Sequence, residues 1–496
     1  MSSTLTTGAP WRVILAFSIP LLIGNVVQQL YQFVDTVVVG RHLGVDALAA
    51  VGATGSLIFL LIGFALGVTS GFAIPTAQAY GAGDHTAVRR SVATGTILTA
   101  AMSVVLTIAA PLLAHPILIL MQTPAELLDD ATVFAQVSFL GSAATMFFNY
   151  LAAIIRAIGD SRTPLIFLIL ACLLNIALVI VMVGPLGWGV AGAALATVVS
   201  QAVSVLLTLE YVRRRLPVLH VGRADFRVAR AELVEHLRLG LPMGFQASII
   251  SLGIIAVQVR LNSLGAEAVA AYTAASRIDS LASAFLASLG LAVSMYVAQN
   301  FGGGRPDRIR RGVGQAIWMS IIGSAFLGVL MVVIGAPVVR VFVGNDAEGV
   351  VDLAHTMLII NGVTYWILGV LFVTRGALQG LGRTLVPTIT GAVELGMRTL
   401  AAIALGAFFG FVGVAWSNPV AWIGAVVILI PAYVRAHRQL AHMPVNPRVL
   451  TDTTPIALIG PHEGSDAVDT VITTSITLPQ TGAITVRKGR KSRRAK

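Results

Sequence analysis

The stretch AQAYGAGDHTAVRRSV, residues 77–92, returns at residues 298–313 as AQNFGGGRPDRIRRGV. Gln78 pairs with Gln299, Gly81 with Gly302, and Arg89-Arg90 with Arg310-Arg311, all at one offset. Working outward at that offset, LGVDALAAVGA (43–53) meets LGAEAVAAYTA (264–274), and Pro20 falls one residue from the register of Pro242. Further on, IRAIGDSRTP (155–164) resembles LQGLGRTLVP (378–387). The chain therefore consists of two copies of one unit.

Each copy is membrane-like. Of 496 residues 56% are hydrophobic and only 11% charged, against roughly a quarter charged in soluble domains. A bilayer core about 30 Å thick is crossed by about 20 apolar helical residues. That length recurs at 12–40, 50–78, 91–113, 131–155, 164–184, 188–212, 236–262, 268–300, 311–335, 352–377, 387–409 and 412–434. The expected fold is an all-α polytopic membrane protein of twelve transmembrane helices in two six-helix repeats. An even number of spans per copy makes the repeats parallel, as in many transporters whose sites lie at the repeat interface. The expected division is an N-terminal lobe 1–212, a linker 213–235, a C-terminal lobe 236–440 and a disordered basic tail 441–496.

Charges orient the chain. Arg89 and Arg90, Arg156 and Arg162, Arg213 to Arg215, Arg305 and Arg308, and Arg383 fall in alternate links. By the positive-inside rule those links, and both termini, are cytoplasmic. The net charge of +11 then marks loops and a tail end, RKGRKSRRAK, suited to anionic lipid rather than nucleic acid. The first apolar run is too long for a signal peptide and lacks a cleavage site. The lone cysteine, Cys172, allows no intramolecular disulfide. No HExxH, GxSxG or GxxxxGK[ST] motif occurs, so neither an enzyme nor direct use of ATP is expected.

Polar groups inside the spans carry the functional information, because a charge at mid-bilayer costs at least ~2.5–3.5 kcal/mol. Gln28, Gln32 and Asp35 share one face of the first span. Asp35 is the candidate proton-binding group, since leaving water favours the neutral acid over the anion. Pro20 removes a hydrogen bond from the same helix and is the candidate hinge. Asn149, Asn175 and Thr197 offer uncharged oxygens. In the second copy Glu394 and Arg398 stand i, i+4 and are expected to neutralise each other. Arg277 and Asp279 stand two apart and need other partners; Asn361 and Gln379 accompany the tenth span. Arg277 and Arg398 are read as the only deep arginines, with Glu394, Arg398 and Arg277 as secondary candidates.

IPLLIGNVVQQLYQFVDTVVVGRHLGVDALAAVG (19–52), GFAIPTAQAYGAGD (71–84), RAIGDSRTPL (156–165) and GWGVAGAALAT (187–197) together resemble the multidrug and toxic compound extrusion (MATE) family. The resemblance covers residues ~10–435. It implies V-shaped six-helix lobes, alternating access, and export of cationic, often aromatic compounds in exchange for H⁺ or Na⁺. It points to the DinF-like branch, whose N-lobe cation site falls on Asp35, Asn149, Asn175 and Thr197, with the hinge on Pro20. The implied substrate cavity includes Gln28, Gln32 and Asn175, and an Na⁺ would sit at Asp35 and Asn175. One aspartate of the pattern is missing, at Val179. The other branch's acids are absent too, their places taken by an apolar residue near Ile250 and by Leu368 or a neighbour. A single carboxylate suits H⁺ better than Na⁺. No other cofactor is implied, and we read the chain as a monomer in the plasma membrane. A flippase for lipid-linked precursors of the same superfamily is the rival reading; it would need several arginines inside the lobes to hold pyrophosphate. A membrane sensor that has lost transport is the other alternative.

Overall fold

The computed structural model describes residues 5–343 and 347–443; the expected tail lies outside them apart from its first three residues. Helices account for nearly all of these residues. The first half holds α1 (Pro10–Gly44), α2 (Asp46–Gly81), α3 (His85–Leu120), α4a (Ala125–Leu140), α4b (Ser142–Ala157), α5 (Arg162–Val183) and α6 (Gly189–Arg215). The second holds α7 (Arg230–Asn262), α8 (Ala266–Gly302), α9 (Pro306–Val343), α10 (Glu348–Gly380), α11 (Leu385–Ala415) and α12 (Ser417–Ala441). Counting α4a and α4b as one broken span gives twelve spans in two repeats. Ten helices among the described residues are each long and apolar enough to cross a membrane. Leu112, Leu120, Val341 and Phe408 stand exposed on the outside, where acyl chains rather than water suit them.

Glycines and aspartates set the joints. Gly44 at φ 89° separates α1 from α2, a region where a side chain is disfavoured. The Asp84 carboxylate ends the GAGD motif and caps α3, accepting from Thr86 N at 3.0 Å and Ala87 N at 2.9 Å. Asp160 caps α5 in the same way through Arg162 N and Thr163 N, each at 3.0 Å. Such caps satisfy amides that the first turn leaves open.

One expected boundary shifts: the fourth span is not continuous but bends by 47° at Gly141 between α4a and α4b. The kink at Gly410 (φ 57°), just before residue 412, falls where the eleventh span is expected to give way to the twelfth. The connection between halves is short, with two 3₁₀ turns at Pro217–Leu219 and Arg223–Phe226. Leu219 is buried there against the first half.

The repeated motifs meet at the end of the bundle that carries the basic links. A Cβ on Gly81 would strike the Gln299 backbone, and one on Gly302 would strike the Gln78 backbone. Above that crossing Gly67 lies against Met243 and Gly71 against Gly240. Small residues are what allow helix backbones to come this close. The glutamines then reach past each other. Gln78 Nε2 donates to the carbonyl of Gly380 at 3.1 Å, and Gln299 Nε2 donates to the carbonyl of Ala157 at 2.6 Å. Gly380 ends α10 and Ala157 ends α4b, the corresponding helices of the two copies. The N-terminal segment straps across the same end: Leu5 N donates to Gln299 Oε1 at 2.9 Å, and Arg308 donates to Gly8 O at 2.9 Å.

Candidate functional site

Beyond those crossings the halves part around a cavity of about 1610 Å³. That is larger than the ~300–1,000 Å³ of an ordinary ligand pocket. Its lining runs from Asp35 and Arg277 past Ser70 on α2 and Leu291 on α8 to Arg156 near the end of α4b. Most of the wall is apolar, including Phe33, Phe59, Phe148 and Phe372.

The first-half wall presents the expected polar face: Gln28, Gln32 and Asp35 all line the cavity. Asp35 Oδ1 is buried with no hydrogen-bond partner among the described residues. One turn earlier, Tyr31 shares a 2.8 Å hydrogen bond with Thr197 Oγ1 of α6, and Asn175 Nδ2 of α5 donates to that same oxygen at 3.1 Å. Asn175 Oδ1 is likewise buried without a partner. Asn175 and Thr197 thus join through Tyr31 to the helix face of Asp35. Asn149 does not join this chain of bonds: it lines the cavity, but its Nδ2 donates to Thr145 O of its own helix at 2.8 Å. Asn175 does not line the cavity itself and lies just behind the wall. Tyr31 had no place in the sequence reading, although it is i−4 to Asp35 and i+3 to Gln28. Val179, where the resemblance leads one to look for a second acid, packs fully buried among Val38, Val39 and Ala193. The apolar residue suits these surroundings, where an ionised carboxylate would be costly to bury.

Pro20 lines the cavity on α1, and the helix runs through it with no non-helical residue before Gly44. The proline leaves the Ala16 carbonyl without its usual donor, a soft point in a helix that is otherwise continuous.

The second half departs from expectation. Glu394 does not pair with Arg398. It forms a buried ion pair with Arg375 of α10, a residue not named among the sequence candidates. Helix spacing alone gave Arg398 the better claim; α10 packing beside α11 reverses it. Arg398 lies against Gly253 of α7, with its Nε buried and unpartnered, and makes no ion pair among the described residues. Asp279 finds its partners on α10: it accepts from Asn361 Nδ2 at 2.9 Å and from the Tyr365 hydroxyl at 2.7 Å. This cluster lies inside the second half, away from the cavity wall. Gln379 reaches the wall, donating to Gln246 Oε1 at 3.1 Å. Arg277 lines the cavity, as does Arg156, which the sequence reading counted only as a link residue. Leu368 is buried in the core of the second half, and the side chain of Ile250 lies outside the described residues.

Comparison with known proteins bears on the family and the two-repeat fold. The family model described as MatE matches residues 20–181 and 242–402, one segment in each half. The chain belongs to the MATE family. It is similar to the probable multidrug resistance protein YoeA of Bacillus subtilis (strain 168), 33% identical over 76% of this chain and 83% of that protein. Two solved structures, a MATE in the bent conformation (24% identical) and a MATE in the straight conformation (23% identical), superimpose with TM-scores of 0.80. They cover 88% and 89% of this chain, and 97% and 98% of those chains. As a member of this family the chain is a multi-pass membrane transporter and not an enzyme.

Proposed function

We propose that this MATE protein exports drug-like small molecules from the cytoplasm in exchange for an inward-moving cation bound at Asp35. The observation that carries the proposal is the unpartnered Asp35 Oδ1 on the cavity wall, beside the Tyr31–Thr197–Asn175 chain of bonds. A buried acid oxygen without a donor is satisfied when it takes a proton or a cation. Protonation neutralises Asp35, lets α1 bend at Pro20 and shrinks the cavity, releasing the substrate outward. The relatives described as bent and straight conformations support a bending step. A single carboxylate, with Val179 in place of a second, favours H⁺, and the absence of the other branch's acids favours the N-lobe branch. Sodium is the second reading, favoured by the unpartnered Asn175 Oδ1 as a further oxygen ligand. The basic links support a plasma-membrane orientation with both termini on the cytoplasmic side, and a cavity lined by one chain supports a monomer. The resemblance implies an organic cation as substrate, for which the wall offers one carboxylate, Asp35.

Proteoliposomes loaded with a fluorescent substrate and energised by a proton or a sodium gradient test coupling directly. Proton-driven flux that disappears in Asp35→Asn, with the protein still folded and inserted, is the expected result. Unchanged flux in that variant overturns the role given to Asp35.

A further inference from the structure

The cavity wall carries four ionisable groups among the described residues with formal charge at neutral pH: Asp35, Arg156, Arg277 and Arg375. Arg375 is balanced by Glu394 behind it. Arg156 and Arg277 have no ion pair and no side-chain hydrogen bond among the described residues. The wall therefore bears two uncompensated guanidiniums against one carboxylate, and two against none once Asp35 is protonated.

These charges are spread along the cavity. Asn25 Nδ2 donates to Ser288 Oγ at 2.9 Å, which levels α1 against the antiparallel α8. From that contact, at ~1.5 Å of rise per residue, Asp35 and Arg277 each stand about 15 Å toward the open end, on facing walls. Gly290 lies against Phe372, so Arg375 sits close to the level of the Asn25–Ser288 contact. Arg156 is deepest, one residue before the end of α4b. Arginines thus mark the route from the closed end to the open one. An unpaired guanidinium within a span, as at Arg277, is costly to keep, and the planar donors of both arginines fit a carboxylate or phosphate in a two-point contact.

We propose that the substrate of this cavity is an amphipathic organic anion, an aromatic or otherwise apolar body bearing a carboxylate or phosphate. This replaces the organic cation that the resemblance supplies, and rests on the reading that the cavity carries an exported substrate. Arg277 and Arg156 take the acidic group in turn, and the phenylalanines of the wall hold the apolar body. The anion and the coupling proton share no group, so exchange depends on the bend at Pro20 and not on competition for one carboxylate.

Binding to the purified full chain tests this without a gradient, by fluorescence polarisation of carboxyfluorescein, of a pyrene-tagged monophosphate and of ethidium. At least one anion should bind, with ethidium weaker by about tenfold or more, the loss expected for a missing charge-assisted contact. Binding of the carboxylate alone or the phosphate alone supports the proposal and identifies the acidic group. Arg277→Gln and Arg156→Gln should each weaken anion binding about tenfold, and Arg277→Lys, which keeps the charge but loses the planar fork, should weaken it less than Arg277→Gln. Ethidium binding with no anion binding, or Gln variants that bind the anion like the parent, overturns the proposal. Proton-driven ethidium export lost in Asp35→Asn, with no anion bound, would leave the antiport reading standing and sink this one. Anion binding without any coupled flux would do the reverse.

Discussion

Asp35 and Glu394 are both carboxylates in the middle of a membrane helix, and their neighbours give them opposite roles. Glu394 is locked to Arg375 with both side chains almost fully buried. Removing one member of such a pair leaves a buried charge alone, a loss of about 3–5 kcal/mol, whereas replacing both with apolar residues is far milder. Arg375→Met and Glu394→Leu alone should therefore lower the thermal midpoint in detergent strongly, and the double variant should recover most of it. A double variant as damaged as the singles would show that the pair does more than neutralise itself. Asp35 has no such partner, so Asp35→Asn should leave the same midpoint nearly unchanged while abolishing gradient-driven flux. The acid on the first helix was legible from sequence because a charge among apolar residues advertises itself. The partner of Glu394 was not: i, i+4 spacing is visible in one dimension, and the packing of α10 on α11 is not. The same blindness hid Arg375 and Arg156 as cavity groups. With them counted, the mark set for the flippase rival, arginines facing the interior, is partly met by a protein of the MATE family.

Among the elements, the crossing of α2 and α8 is the most constrained contact between the halves. Gly81 and Gly302 permit it and Gln78 and Gln299 fasten it. Each glutamine bond contributes about 1 kcal/mol, so Gln78→Ala with Gln299→Ala should loosen the closed end without unfolding the chain. Cys172 reports on this directly, being the single cysteine and a lining residue of the cavity. A membrane-impermeant maleimide added from the basic-link side should label Cys172 faster in the double variant than in the parent. Gly81→Leu should go further, since the side chain would occupy the place of the Gln299 backbone: labelling from that side should become fast and transport should cease. Slow labelling in both variants would mean that the closed end is held by other contacts. Sequence alone pointed to these residues through the repeat but gave no reason for their identity. The reason is the close backbone approach, which only the paired helices reveal. The break in the fourth span is not legible in the sequence, because a single glycine inside an apolar run looks like any other small residue of a membrane helix.

At the scale of the molecule, the twelve spans were legible because each is an apolar run matched to bilayer thickness, and the parity of six per copy made the repeats parallel. What the repeat did not disclose is that the two copies hold each other by equivalent atoms. Gln78 grips the last carbonyl of the second copy's fourth span, and Gln299 grips the last carbonyl of the first copy's. In an oligomer this would be an isologous interface, the self-complementary patch through which two identical protomers associate about a twofold axis. The closed end of the transporter thus has the design of a homodimer contact, with the short connection between Arg215 and Arg230 serving as a tether and not as the source of affinity. Chains 1–227 and 228–496, expressed as separate polypeptides in one membrane, should find each other and co-purify. The pairing should weaken with Gln78→Ala and Gln299→Ala together, and halves that never associate would show that the tether, after all, makes the assembly.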